Sequence, residues 1–157
     1  MTIIPPTDFE CMVRLTIAMI CGAAIGFERD RRGMPTGSRT LALVCLGACA
    51  AVIAALKAGD SDGFSRVAQG VVTGIGFLGG GVILQSDSMK TIKGLTTAAS
   101  IWLTAAIGLL AGTGDVELAG FVTVLALLVL FADSMMKSMW PKVDENPKPP
   151  NEAPPSS

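Results

Sequence analysis

Three groups of residues in this chain have types and spacings that could do chemistry. The run Gly74-Ile-Gly-Phe-Leu-Gly-Gly-Gly-Val-Ile-Leu84 contains the letters G-x-G-x-x-G. After a strand and at the start of a helix, such glycines let the backbone approach a dinucleotide pyrophosphate. Cys11, Cys21, Cys45 and Cys49 raise metal binding or disulfide formation. Glu28, Arg29, Arg32, Arg39, Thr40 and Asp133 could dock anionic lipid headgroups or the edge of a partner complex. Histidine is absent, which removes the usual proton switch, the imidazole metal ligand and His-based triads.

The elements that must carry these residues decide among the possibilities. The 157 residues are 50% hydrophobic and 16% charged, with a mean hydropathy of +0.57, whereas soluble domains carry about 25% charged residues. A net charge of −1 and the lack of a basic, aromatic run give no reason to expect a nucleic-acid partner. Charges are missing from Leu15 to Phe27, Leu41 to Leu56, Val67 to Ser86, Gly94 to Gly114 and Leu118 to Ala132. A bilayer core about 30 Å thick takes roughly 20 residues of helix, so the third and fourth segments suffice alone. The first must begin near Cys11 and take Arg14 along, the second uses Thr40 and Lys57 at its ends, and the fifth reaches past Asp133. Long side chains at helix ends can snorkel to the interface. The expected fold is an all-α membrane protein, a bundle of five transmembrane helices at about 11–28, 39–57, 66–86, 94–113 and 117–136.

Residues 1–10 form a short N-terminal segment in which Asp8 and Glu10 stand where a signal peptide would be basic, so the first helix is expected to be retained. The tail, 137–157, ends in PKVDENPKPPNEAPPSS, too polar and Pro-rich to bury a core, and is expected to be disordered. Arg29, Arg31, Arg32, Arg39, Lys90, Lys93, Lys137, Lys142 and Lys148 fall on one side of the bilayer, and only Arg14, Lys57 and Arg66 on the other. The positive-inside rule then places the N-terminus outside and the C-terminus in the cytoplasm.

Cys45 and Cys49 share a helix face, but Cys11 and Cys21 are on another segment and no His or midplane carboxylate joins them. They read as small apolar core residues, with no metal, cofactor or disulfide framework. The dinucleotide reading of the glycine run fails on context, because the run lies inside an apolar span and the nearest downstream acid, Asp87, comes only eight residues after Gly79. At about 100° per residue, Gln69, Gly70, Thr73, Gly74, Gly76, Gly80 and Gly81 lie within roughly 80° of Arg66, leaving Phe77 and Leu84 as large residues on a small face. Gly70/Gly74, Gly76/Gly80, Gly22/Gly26 and Gly108/Gly112 all have the small-xxx-small spacing of close-packed membrane helices. Thr96, Ser100, Thr104, Gly108 and Gly112 form a further ridge at i+4. These seams lead us to expect helix packing, a homo-oligomer, and disrupted folding or assembly when leucine replaces Gly76 or Gly80. The fifth helix, FVTVLALLVLF, has no such face and is expected on the lipid-facing rim.

In order along the chain, the blocks GFERDRRG, GSRT, RVAQ, GIGFLGGGVIL and GLTTAASIW resemble the membrane domain of the MgtC/SapB family, over about residues 11–135. The resemblance implies a bacterial inner-membrane protein of five helices, linked to growth under low Mg²⁺ and, in pathogens, to survival inside host phagocytes. It implies a regulatory role, with the F-type ATP synthase as one proposed partner, and identifies the chain with a short form that lacks the cytoplasmic domain of longer members. Arg66, Gln69, Thr96, Thr97 and Trp102 fall in these blocks and join Arg14 as further candidates.

The residues themselves bear on transport. Mg²⁺ takes octahedral oxygen ligands and keeps much of its water, yet no carboxylate lies near the expected midplane. There is no P-loop and no internal repeat of the kind common in secondary carriers. Positive-inside anchoring with Glu28 paired to Arg32 at i+4 accounts for much of the boundary cluster. The expected function is a non-enzymatic modulator of ion or energy homeostasis that acts through the bilayer and membrane partners, and direct transport of Mg²⁺ or another cation is the alternative.

Overall fold

The computed structural model describes residues 6–59, 62–84 and 94–139, with side chains through 83 in the second stretch and through 132 in the third. These residues form five helices: α1 Asp8–Arg31, α2 Ser38–Lys57, α3 Gly63–Leu84, α4 Leu95–Thr113 and α5 Val116–Met139. Among the described residues there is no strand. Helices α1 to α4 are long and apolar enough to cross a membrane, while the apolar stretch described on α5, Val116–Ala132, is shorter. Residues 85 and 86, expected in the third helix, and 140–157 of the tail lie outside the described residues.

Helix α1 starts at Asp8, three residues before Cys11, where the charge-free stretch and the bilayer thickness place it. Thr7 and Glu10 form a capping box: the Thr7 amide donates to the Glu10 carboxylate at 2.7 Å and the Glu10 amide donates to the Thr7 hydroxyl at 3.3 Å. Both bonds satisfy amides that have no partner in the first turn. At the other end the chain turns through Gly33 at φ +62°, a backbone conformation that costs glycine little.

Helix α4 is the hub: among the described residues it touches all four other helices, whereas α3 touches only α2 and α4, and α5 only α1 and α4. Lipid offers no hydrophobic drive between helices, so association depends on close backbone approach. α2 lies between two glycine pairs. A Cβ on Gly22 would meet the Leu41 carbonyl at 2.5 Å, and one on Gly26 would strike the Ser38 backbone. On the opposite side, Gly108 lies against the Cys45 carbonyl and Ala48, and Gly112 against Val52 and the Cys49 carbonyl. Ile25, Leu41, Cys45, Cys49, Val52 and Ile107 fill this seam, and all four cysteines are free and buried. The hydroxyl ridge of α4 is satisfied within its own helix, Ser100 donating to the Thr96 carbonyl at 2.8 Å and Thr104 to the Ser100 carbonyl at 2.7 Å.

Helix α3 differs from its expected packing. A Cβ at Gly70, Gly74, Gly76 or Gly80 would meet nothing within 4 Å, whereas at Gly79, the one glycine off the small face, it would meet the Ala98 Cβ at 3.5 Å. The reason is that α3 turns its bulky side inward. Val67, Ala68, Val71, Ile75 and Val82 pack on the core, so most of the small face is left pointing away from the rest of the chain, with Gly74 at the edge of a hollow that it shares with Thr40, Leu43 and Gly47 of α2. α5 buries Ala119, Ala126 and Leu130 and exposes Phe121, Val124, Leu128, Val129 and Phe131.

At one end of the bundle, which we call the Arg14 end, the Arg14 guanidinium donates from Nη1 to the Gly112 carbonyl at 2.9 Å. Gly112 is in the last turn of α4, where carbonyls lack helical partners and a cation is favoured. Nearby, Lys57 bridges to Asp8 at 2.5 Å, closing α2 onto α1. Arg14→Ala is expected to lower the unfolding free energy in detergent by about 1–2 kcal/mol, with Arg14→Lys recovering part of it. An unchanged unfolding midpoint for Arg14→Ala would show that the contact contributes nothing.

A buried charge cluster at the Arg32 end

At the opposite end, the last turns of α1 bring Glu28, Arg29 and Arg32 against α4 and α5. Glu28 and Arg29 are only 4% and 2% exposed. Arg29 donates from Nη2 to the Thr97 hydroxyl at 2.6 Å, tying α1 to the first turn of α4. Arg32 pairs through Nε with Glu28 Oε1 and donates from Nη2 to the Leu130 carbonyl at 2.6 Å, tying α1 to α5. Its guanidinium also lies 5.9 Å from the centre of the Phe131 ring, within cation–π range. Glu28 Oε2 is buried and has no hydrogen-bond partner among the described residues.

The helical geometry that assembles this cluster is simple. Residues 28 and 32 are one turn apart and share a face, and residue 29, turned about 100° away, reaches a different neighbour. The loop behind them is pinned by Asp30, whose carboxylate accepts from the Ser38 amide at 2.9 Å and so caps α2. Gly37 has no room for a Cβ because the Asp30 carboxyl occupies that space.

Of the six residues expected to form a boundary patch, the structure brings together Glu28, Arg29 and Arg32 and turns them inward. That corrects the surface-docking reading for Glu28 and Arg29, since groups this deeply buried cannot meet a headgroup. Arg39 and Thr40 are exposed one loop away and belong to a separate surface hollow of about 320 Å³ with Asp30, Gly37 and Ser38. Asp133 is on α5, and its side chain lies outside the described residues. Among the other candidates, Thr97 enters the cluster, Thr96 and Trp102 face outward on α4, and Arg66 and Gln69 are exposed on α3. The pairing of Arg29 with Thr97 spans 68 positions and leaves no local signal in the sequence.

Chemically, the described residues of the cluster are two guanidiniums and one carboxylate, all largely withdrawn from solvent. Such a set can lock helices together. Among the described residues no group of three or more His, Cys, Asp or Glu side chains could hold a metal ion.

The chain is 43% identical to protein SrpB of Synechococcus elongatus in an alignment 129 positions long that covers 74% of this chain and 71% of SrpB. It is 44% identical to the putative magnesium transporter YhiD of Escherichia coli K12 in an alignment 130 positions long that covers 77% of this chain and 59% of YhiD. To protein MgtC of Salmonella typhimurium it is 36% identical over 140 residues, 88% of this chain and 58% of MgtC. The chain therefore spans less than two thirds of YhiD and of MgtC. No solved structure matches it. The MgtC family pattern matches residues 15–139, a range that takes in Glu28, Arg29, Arg32, Thr97, most of α1 and all of α2 to α5, and the chain belongs to the MgtC family.

Proposed function

We propose that this MgtC-family protein sits in the bacterial inner membrane with its Arg32 end in the cytoplasm. There it modulates adaptation to scarce Mg²⁺, and with it ion or energy homeostasis, through contacts with membrane partners such as the F-type ATP synthase and without catalysis. The observation that carries this reading is the charge cluster. A cation path would need oxygen ligands lining a polar interior, and here the one buried carboxylate among the described residues is paired with Arg32 beside a buried Arg29. The hydroxyls of Ser100 and Thr104, which would be the next candidates, donate to their own helix. The concentration of Lys and Arg at the Arg32 end supports the orientation.

The name of the Escherichia coli relative, putative magnesium transporter, favours a second reading in which the chain itself carries Mg²⁺. Reconstitution separates the two. Purified protein in liposomes loaded with a Mg²⁺-sensitive dye is expected to give no uptake above empty vesicles. Robust, protein-dependent uptake that scales with the amount reconstituted would sink the modulator reading.

A further inference from the structure

The outward face of α3 is unlike any other face of the bundle. Helix α3 is one of the four helices able to cross a membrane, yet it directs Gln69 and Thr73 outward. Neither side chain has a hydrogen-bond partner among the described residues. At 1.5 Å per residue, Thr73 lies about 15 Å from the start of α3, well inside the hydrocarbon. Unpaired polar groups are costly there and are normally found facing protein or a water-filled cavity. In line with them on the same face stands Phe77, 85% exposed. It is flanked by Gly74, Gly76, Gly80 and Gly81, at each of which a Cβ would meet nothing within 4 Å.

We propose that this face is the interface between two copies of the chain, related by a twofold axis normal to the membrane. Three features select a second copy over another occupant. A carboxamide is both donor and acceptor, so Gln69 pairs with its own image. Phe77 is a knob set among glycine hollows, and a parallel α3 from a second copy presents the matching hollows and knob. Gly70 and Gly74 supply the spacing at which membrane helices cross closely. A twofold interface needs such self-complementarity, residue by residue, and a lipid chain could pack on the glycines but would leave the amides unpaired.

Cysteine cross-linking in native membrane vesicles tests this, because the four native cysteines are buried on α1 and α2. Thr73→Cys, oxidised with copper phenanthroline, is expected to give a disulfide-linked dimer as the main product. Val129→Cys, exposed on the outer face of α5, is expected to give at most a small fraction of that yield. Adding Phe77→Ala or Gly80→Leu to Thr73→Cys should cut the dimer several-fold without altering the unfolding of the monomer, since Phe77 is 85% exposed and a Cβ at Gly80 meets nothing within 4 Å. Equal cross-linking at Val129, cross-linking of Thr73→Cys to a protein of different mass, or single-step photobleaching of the labelled protein in the same vesicles would each overturn the proposal. None of these results would touch the reading of the charge cluster, which rests on α1, α4 and α5.

Discussion

Gly108→Leu is expected to disrupt the bundle, with a loss of roughly 3 kcal/mol or more of unfolding free energy in detergent. Inserting bulk into a packed core commonly costs about 1–3 kcal/mol, and more when the obstacle is backbone that must move. At Gly108 the obstacles are the Cys45 carbonyl and the Ala48 Cβ, which a new Cβ would meet at 2.8 Å. Both belong to α2, and α2 cannot retreat because Gly22 and Gly26 of α1 are pressed against its other side. The same leucine at Gly80 meets open space, so its unfolding midpoint is expected to match that of the unaltered protein. The pair distinguishes glycines that this chain needs for its own fold from glycines that serve something outside it. Equal stability of Gly108→Leu and Gly80→Leu would refute the distinction.

The second large effect is expected at Glu28. Glu28→Ala takes from the partly buried Arg32 the carboxylate it pairs with and opens a small void. Breaking one partner of a buried pair costs about 3–5 kcal/mol. Arg32 retains 20% exposure, and water there screens part of its charge, so the expected loss is at the lower end, about 3 kcal/mol. The double variant Glu28→Met with Arg32→Leu is expected to recover most of it, because replacing both members of a buried pair with apolar groups is often neutral. A double-mutant cycle read by denaturant or thermal unfolding measures the coupling. If the double variant loses the sum of the two single losses, the pair is uncoupled and the cluster is not a lock.

Much of this architecture is legible in the residues. Charge-free stretches of bilayer length locate the helices because a lipid-spanning backbone has few alternatives to a helix. The Glu28–Arg32 pairing follows from one turn of spacing. Other features were present but needed a different signal, as with the start of α1, where T-x-x-E at Thr7 to Glu10 marks a capping box that hydropathy alone ignores. Still others have no local signature. Whether a glycine face turns toward the bundle or away from it depends on which side of α3 the hub helix occupies, and the sequence of α3 alone reads the same either way. The burial of Arg29 likewise depends on Thr97 arriving from a helix 68 positions later.

The two arginine contacts that close the ends of the bundle have a consequence for the order in which the protein is made. Arg14 reaches Gly112 and Arg32 reaches Leu130, each across 98 positions. During synthesis, α1 and α2 can pair as soon as both have entered the membrane, but neither guanidinium then has its carbonyl. The nascent hairpin must hold Arg14 without its carbonyl through the time taken to add α3 and α4, and Arg32, already paired with Glu28, without Leu130 until α5 follows. Completion of the fold is thus signalled at its two ends separately, first when α4 terminates beside Arg14 and later when α5 passes Arg32.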